Sequence, residues 1–98
     1  MSKKYYTIIV FFKAKPGQEL ALKEFLTSIV DIALQSPDCI RHDLHQSLDD
    51  PGEFMFYENW IHKKAHEQHI ARPEVKKWRS KLNDFLEKNY DASFWEII

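Results

Sequence analysis

Apolar residues run along both parities of "YYTIIVFFK" (Tyr5 to Lys13), with β-branched and aromatic types throughout. Such a run predicts a central strand covered on both faces. The segment "KPGQE" then breaks the strand and opens a helix, with Pro16 near the first turn and Glu19 at the positive end of the dipole. Leu22, Phe25, Leu26, Ile29 and Ala33 recur at helical spacing and form one apolar stripe. That helix is expected to end at about Gln35, because the residue before Pro37 is driven away from the α conformation. From Cys39 to Leu48 the pattern alternates, with Ile40, His42, Leu44 and Leu48 on one side and Arg41, Asp43, His45 and Ser47 on the other. This predicts a half-buried second strand.

The turn chemistry of "DDPGE" joins it to a third strand, "FMFYENW" (Phe54 to Trp60), again bulky on both faces. A helix over "HKKAHEQHIA" follows. After Pro73 comes another, in which Val75, Trp78, Leu82, Phe85 and Leu86 keep helical spacing. "YDASFWEII" (Tyr90 to Ile98) closes the chain as a fourth strand. No repeat, linker or low-complexity segment interrupts this order, which predicts a single domain over residues 1–98.

The order β-α-β-β-α-β is the ferredoxin-like α+β arrangement: a four-stranded antiparallel sheet with its helices on one face. Both helical regions serve that one face. Tyr5, Ile9, Phe11, Met55 and Tyr57 on the other would then form a bare apolar patch, and such patches mark interfaces. The expectation is a homodimer through the open sheet face, a dimeric α/β barrel.

Composition narrows the partners. The formal net charge is −1, with both signs scattered along the chain, so no basic patch points to nucleic acid. The apolar run before Lys13 is too short for a signal segment or a membrane span. Cys39 is the lone cysteine, which excludes an internal disulfide and fits a reducing cytoplasm.

Three of the five histidines, His62, His66 and His69, fall within eight residues at spacings of four and three. Zinc sites use such helical pairs but need three or four ligands in all. His62 sits where a cap belongs, and Glu67 lies about 100° round the helix from His66. The ligand set is incomplete, so no metal is expected.

Together, "PDCIRHDLHQSLDDPGEFMFYENW" and "AHEQHIARPEV" resemble the antibiotic biosynthesis monooxygenase (ABM) family, of the small quinol-monooxygenase kind; "KAKPGQE" is also typical of it. Cys39, Ser47, Asp50, Pro51, Glu58, Trp60, Ala65 and His69 occupy matching places. Asp38 stands where the family usually has Gly, His42 where an aromatic is common, His66 where Leu is common, and Glu74 where a second His often follows Pro.

The resemblance implies a pocket between helices and sheet holding His69 and Trp60 as the catalytic pair. Physically, an imidazole at the edge of an apolar cavity can take a proton from a phenol near neutral pH. An indole offers a flat stacking surface and one N–H donor. Strand parity puts Glu58 and Phe56 on the face of Trp60, making them candidate substrate-binding residues. His66 joins them from the helix, where it is otherwise a bystander. Arg72 and Trp78 are candidates for the pocket rim. The competing reading is a core histidine bonded to backbone, with Trp60 as packing and Glu58 solvated or paired with Lys or Arg.

No phosphate loop, Cys-x-x-Cys, nucleophile elbow or flavin fingerprint is present, so an oxygenase here would use no bound cofactor, as the resemblance implies for several relatives. The expected partners are O2 and a small aromatic or quinol-like substrate. Isomerisation or degradation of a small oxygenated metabolite, with Glu58 and His69 as acid and base, and ligand binding without catalysis stay open beside it. Haem degradation ranks lower, because relatives that do it use an Asn on the first strand and "YYTIIVFF" has none.

Overall fold

The computed structural model describes residues 5–98; the Lys3–Lys4 pair that precedes the first apolar run lies outside them. Strand β1 (Tyr6–Lys13) is a central strand, flanked on both sides by β3 (Glu53–Trp60) and β4 (Asp91–Glu96). Strand β2 (Cys39–Gln46) pairs with the outer side of β3, giving the order β2-β3-β1-β4 with every neighbour antiparallel. Helices α1 (Glu19–Leu34), α2 (Lys63–Ile70) and α3 (Pro73–Leu82) complete the ferredoxin-like α+β fold, with a 3-10 turn at Asn83–Phe85.

The core fills the space between helices and sheet. Leu22, Leu26, Ile29 and Ala33 of α1 are buried, and so are Ile8, Val10 and Phe12 of β1 and Phe54, Phe56 and Trp60 of β3. Burying one such Leu or Ile side chain contributes roughly 1.5–3 kcal/mol. Phe12 meets Phe56 edge to face at 5.0 Å, the geometry that ring quadrupoles favour. Gly17, at φ +85°, turns the chain into α1 through a conformation that side chains disfavour. The hairpin between β2 and β3 is fixed by Asp50, whose Oδ1 accepts from Gly52 N at 2.8 Å and which pairs with Lys13.

Several boundaries differ from the sequence expectation. A bulge between Cys39 and Arg41 shifts the alternation of β2, so Cys39 and His42 both face the helices while Ile40 is turned out and 45% exposed. A bulge places two residues opposite one, and periodicity alone does not locate it. Leu48 lies beyond the strand and is fully exposed. Helix α3 stops at Leu82; Phe85 and Leu86 reach the core through the 3-10 turn and the residue after it. Strand β4 is shorter than Tyr90–Ile98 at both ends.

On the other sheet face Ile9, Met55 and Tyr57 are half-buried, while Phe11 and Trp95 stay exposed at 54% and 58%. Thr7 and Asn59 on that face are buried and bonded to each other, Thr7 Oγ1 donating to Asn59 Oδ1 at 2.7 Å. Among the described residues, no helix is long and apolar enough to cross a membrane.

Candidate functional site

Between the sheet and helices α2 and α3 lies a cavity of about 190 Å3. Its walls are mainly apolar, from Ile8, Val10 and Phe12 of β1, Phe56 of β3, and Val75, Trp78 and Leu82 of α3. Its polar groups are His42, Glu58, His66, His69, Arg79 and Tyr90. An apolar cavity of about 150 Å3 is large enough to bind benzene, so the volume here has room for a substituted aromatic ring.

Parity on β3 turns Phe56, Glu58 and Trp60 toward the helices, as their spacing predicts. Register then does what spacing cannot. His42 of β2 stands directly opposite Glu58, with its Nε2 3.3 Å from Glu58 Oε1. The same carboxylate oxygen accepts from Trp60 Nε1 at 2.9 Å. Burial alone would raise the Glu58 carboxyl, but the His42 ring and the Trp60 N–H outweigh it and hold it below the ordinary carboxylate value. Glu58 is therefore a buried, ionised group with two partners, rather than a solvated one or a partner of Lys or Arg.

Trp60 is fully buried and does not line the cavity. The expected free N–H donor and stacking surface for a ligand is corrected accordingly: the N–H belongs to Glu58. The indole instead packs against His69 at 4.7 Å and His66 at 5.5 Å between ring centroids, holding both imidazoles from behind.

Helix α2 is capped by His62, whose Nδ1 accepts from Ala65 N at 3.1 Å, so this histidine is the cap and not part of the site. His66 and His69 face inward one turn further on, their rings 6.5 Å apart. Among the described residues, no group of three or more His, Cys, Asp or Glu side chains converges to hold a metal ion. Burial pushes the His69 pKa down to about 4, opposed by the nearby Glu58 charge and helped by His66, His42 and Arg72. His66 is lowered too, chiefly by burial. Both are neutral imidazoles at pH 7, each able to accept a proton at one nitrogen and donate at the other. The Nδ1 atoms of His42 and His69 are buried with no hydrogen-bond partner among the described residues. The backbone bond of the competing reading is therefore not made at His69 Nδ1.

Cys39, beside this cluster, is pushed up to about 12 by burial and then by Glu58, so it stays a thiol and behaves as a small hydrophobe. Of the two rim candidates, Trp78 lines the cavity, whereas Arg72 pairs with Glu74 away from it. The sequence marked His42 only as a departure from the family pattern, and Arg79, Tyr90 and Phe94 were not among its site candidates. Arg79 did carry a signal: Val75, Arg79 and Leu82 share one helical face, which puts a cation on an apolar stripe.

An antiparallel ferredoxin-like sheet with a small apolar cavity and an acid–imidazole cluster under its helices defines an α+β domain with a cavity of small-molecule size. The family described as antibiotic biosynthesis monooxygenase (ABM) matches residues 5–81, and the chain belongs to that family. No curated protein matches it by sequence. Among solved structures, it is similar to PA3566 from Pseudomonas aeruginosa, with a TM-score of 0.88 and 26% identity over 100% of this chain and 97% of the other. Rv0793 from Mycobacterium tuberculosis is similar at a TM-score of 0.88 and 20% identity, over 96% and 95% of the two chains. A protein solved as an antibiotic biosynthesis monooxygenase gives a TM-score of 0.87 and 22% identity over 95% and 98%. The last two likenesses speak to the fold.

Proposed function

We propose that this ABM-family protein is a monooxygenase that oxidises a small aromatic or quinol-like molecule with O2, without a bound cofactor. The observation that carries the reading is the apolar cavity of about 190 Å3 closed at one end by His66, His69 and the Glu58–His42 pair. For a hydroquinone, the net reaction inserts one oxygen atom at a ring carbon and reduces the other to water. The quinol is oxidised to a hydroxyquinone. His69 takes a hydroxyl proton from the bound quinol, and the resulting anion passes one electron to O2. Superoxide and semiquinone then join in a C–O bond. The peroxide so formed takes a proton from the His69 imidazolium; loss of the ring-carbon proton and cleavage of the O–O bond release water.

A base with a pKa of about 4 is weak toward a free phenol, but an anion formed against it in a dry cavity stabilises the imidazolium by direct attraction. Phe56 supplies an aromatic wall, and His66 a second donor for the developing oxyanion. Trp60 acts through the groups it holds: it orients Glu58 by a hydrogen bond and His69 by packing.

The test is O2 consumption with a panel of hydroquinones and anthrones, wild type against His69→Ala. Uptake at the level of the variant across the panel refutes the reading. Turnover that continues without O2 would instead assign an isomerising or degrading reaction to Glu58 and His69. A co-purifying ligand released unchanged would make the chain a binding protein.

We further propose that it works as a homodimer through the open sheet face. Burying about 600 Å2 of apolar surface per subunit at about 25 cal/mol per Å2 yields roughly 15 kcal/mol per subunit before costs. Association costs on the order of 4–15 kcal/mol, so two such faces leave a surplus. Sedimentation at micromolar concentration is expected to give twice the chain mass of 11.8 kDa. A monomer there removes this part of the proposal.

A further inference from the structure

The polar groups of the cavity fall into two sets. Glu58, His42, His66 and His69 form the inner one, and the single acid among them already has two partners. The outer set is Arg79 with Tyr90. Arg79 Nη2 donates to the Tyr90 hydroxyl at 2.8 Å, which ties the end of α3 to the residue just before β4. That bond uses one of the five N–H donors of a guanidinium. None of the ion pairs among the described residues uses Arg79, although Arg41, Arg72 and Lys63 each take an acid. Its charge stands at the edge of an apolar cavity, on the helical face that otherwise presents Val75 and Leu82.

We propose that Arg79, steadied by Tyr90, binds an acidic substituent of the ligand, so that the cavity selects aromatic acids over neutral phenols. This rests on reading the cavity as an aromatic-substrate site and deepens it. The ring lies among Val10, Phe12, Phe56 and Trp78, with its hydroxyl toward the histidines, and a carboxylate on a short arm reaches the rim. Carboxylate and guanidinium match as planar two-point partners, which gives direction as well as attraction. A neutral ring entering the same cavity would leave the Arg79 fork facing solvent and gain nothing from it.

The experiment compares 2,5-dihydroxyphenylacetate with its methyl ester, which keeps size and ring chemistry but removes the charge. Binding is measured anaerobically by calorimetry, so no turnover is needed. The acid is expected to bind about tenfold more tightly than the ester, the usual scale for one charge-assisted pair. Added salt is expected to weaken the acid and spare the ester. In Arg79→Met, which keeps the apolar stem of an exposed side chain, the acid falls to the affinity of the ester and the ester is unchanged. Equal binding of acid and ester to the wild type overturns the proposal, as does a preference that survives in Arg79→Met. O2 uptake with neutral hydroquinones but no preference for the acid overturns this inference and leaves the proposed function standing. Failure of both compounds to bind overturns it together with the reading of the cavity.

Discussion

Lowering the pH from 7.5 to 5 is expected to weaken this fold through His69 in particular. The residue is only 7% exposed, and its pKa is about 4 in the folded chain against an ordinary 6.5. As pH falls through 6.5 the unfolded chain takes up a proton at this position while the folded chain resists until about 4. Stability is therefore intact above 6.5, falls through the window from 6.5 to 4, and loses nothing further from this residue below it. With those two values the proton-binding difference amounts to about 2 kcal/mol at pH 5 and is negligible at pH 7.5. Set against a total of roughly 5–15 kcal/mol for a domain of this kind, that is a large fraction. The assay is urea unfolding at both pH values and one protein concentration, wild type against His69→Gln. The variant cannot titrate at this position, while His66, His42 and the carboxylates remain in both proteins and cancel in the difference. The wild type should lose about 2 kcal/mol more than the variant between pH 7.5 and 5. Equal losses would mean that the folded state accommodates an imidazolium at position 69, and the neutral-base reading of the site would go with it.

Glu58→Ala should destabilise by about 3–5 kcal/mol, because it strips both the Trp60 N–H and His42 of a buried charged partner; Glu58→Gln, which keeps an acceptor, should cost clearly less in the same unfolding assay. In the proposed reaction, the acid limb of kcat/KM should fall near pH 4 to 5 instead of near 6.5, since the base must be neutral and burial keeps it so; an inflection at 6.5 would exclude His69 as that base. Leu26→Ala, at a fully buried position of α1, should cost about 2–5 kcal/mol in unfolding free energy and leave the oligomeric state alone. Phe11→Arg should do the reverse, leaving the core intact but shifting the sedimenting species toward the monomer, as a charge on the open face must be desolvated on pairing.

The order of elements could be read from the chain because each carries its own local reason. Apolar groups at both parities mark β1 and β3 as the two central strands, Pro37 stops α1, and "DDPGE" turns β2 into β3. The period of 2 likewise brought Phe56, Glu58 and Trp60 to one face, and position before the second helical region marked His62 as a cap. Only tertiary structure decided what those residues meet. The bulge after Cys39 sets which β2 residue faces inward, and register then delivers His42 to Glu58 across sixteen positions of chain. That one contact converts an expected pocket acid into a paired, ionised anchor and takes the Trp60 N–H out of the ligand's reach. Arg79 and Tyr90 meet across the turn after α3, and the depressed pKa of His69 arises from burial by several elements at once. Side-chain periodicity is set by neighbours two to four residues away, so it is written locally. Hydrogen-bond partners and desolvation depend on which segments pack together, so they exist only once the sheet has its register and the helices lie over it.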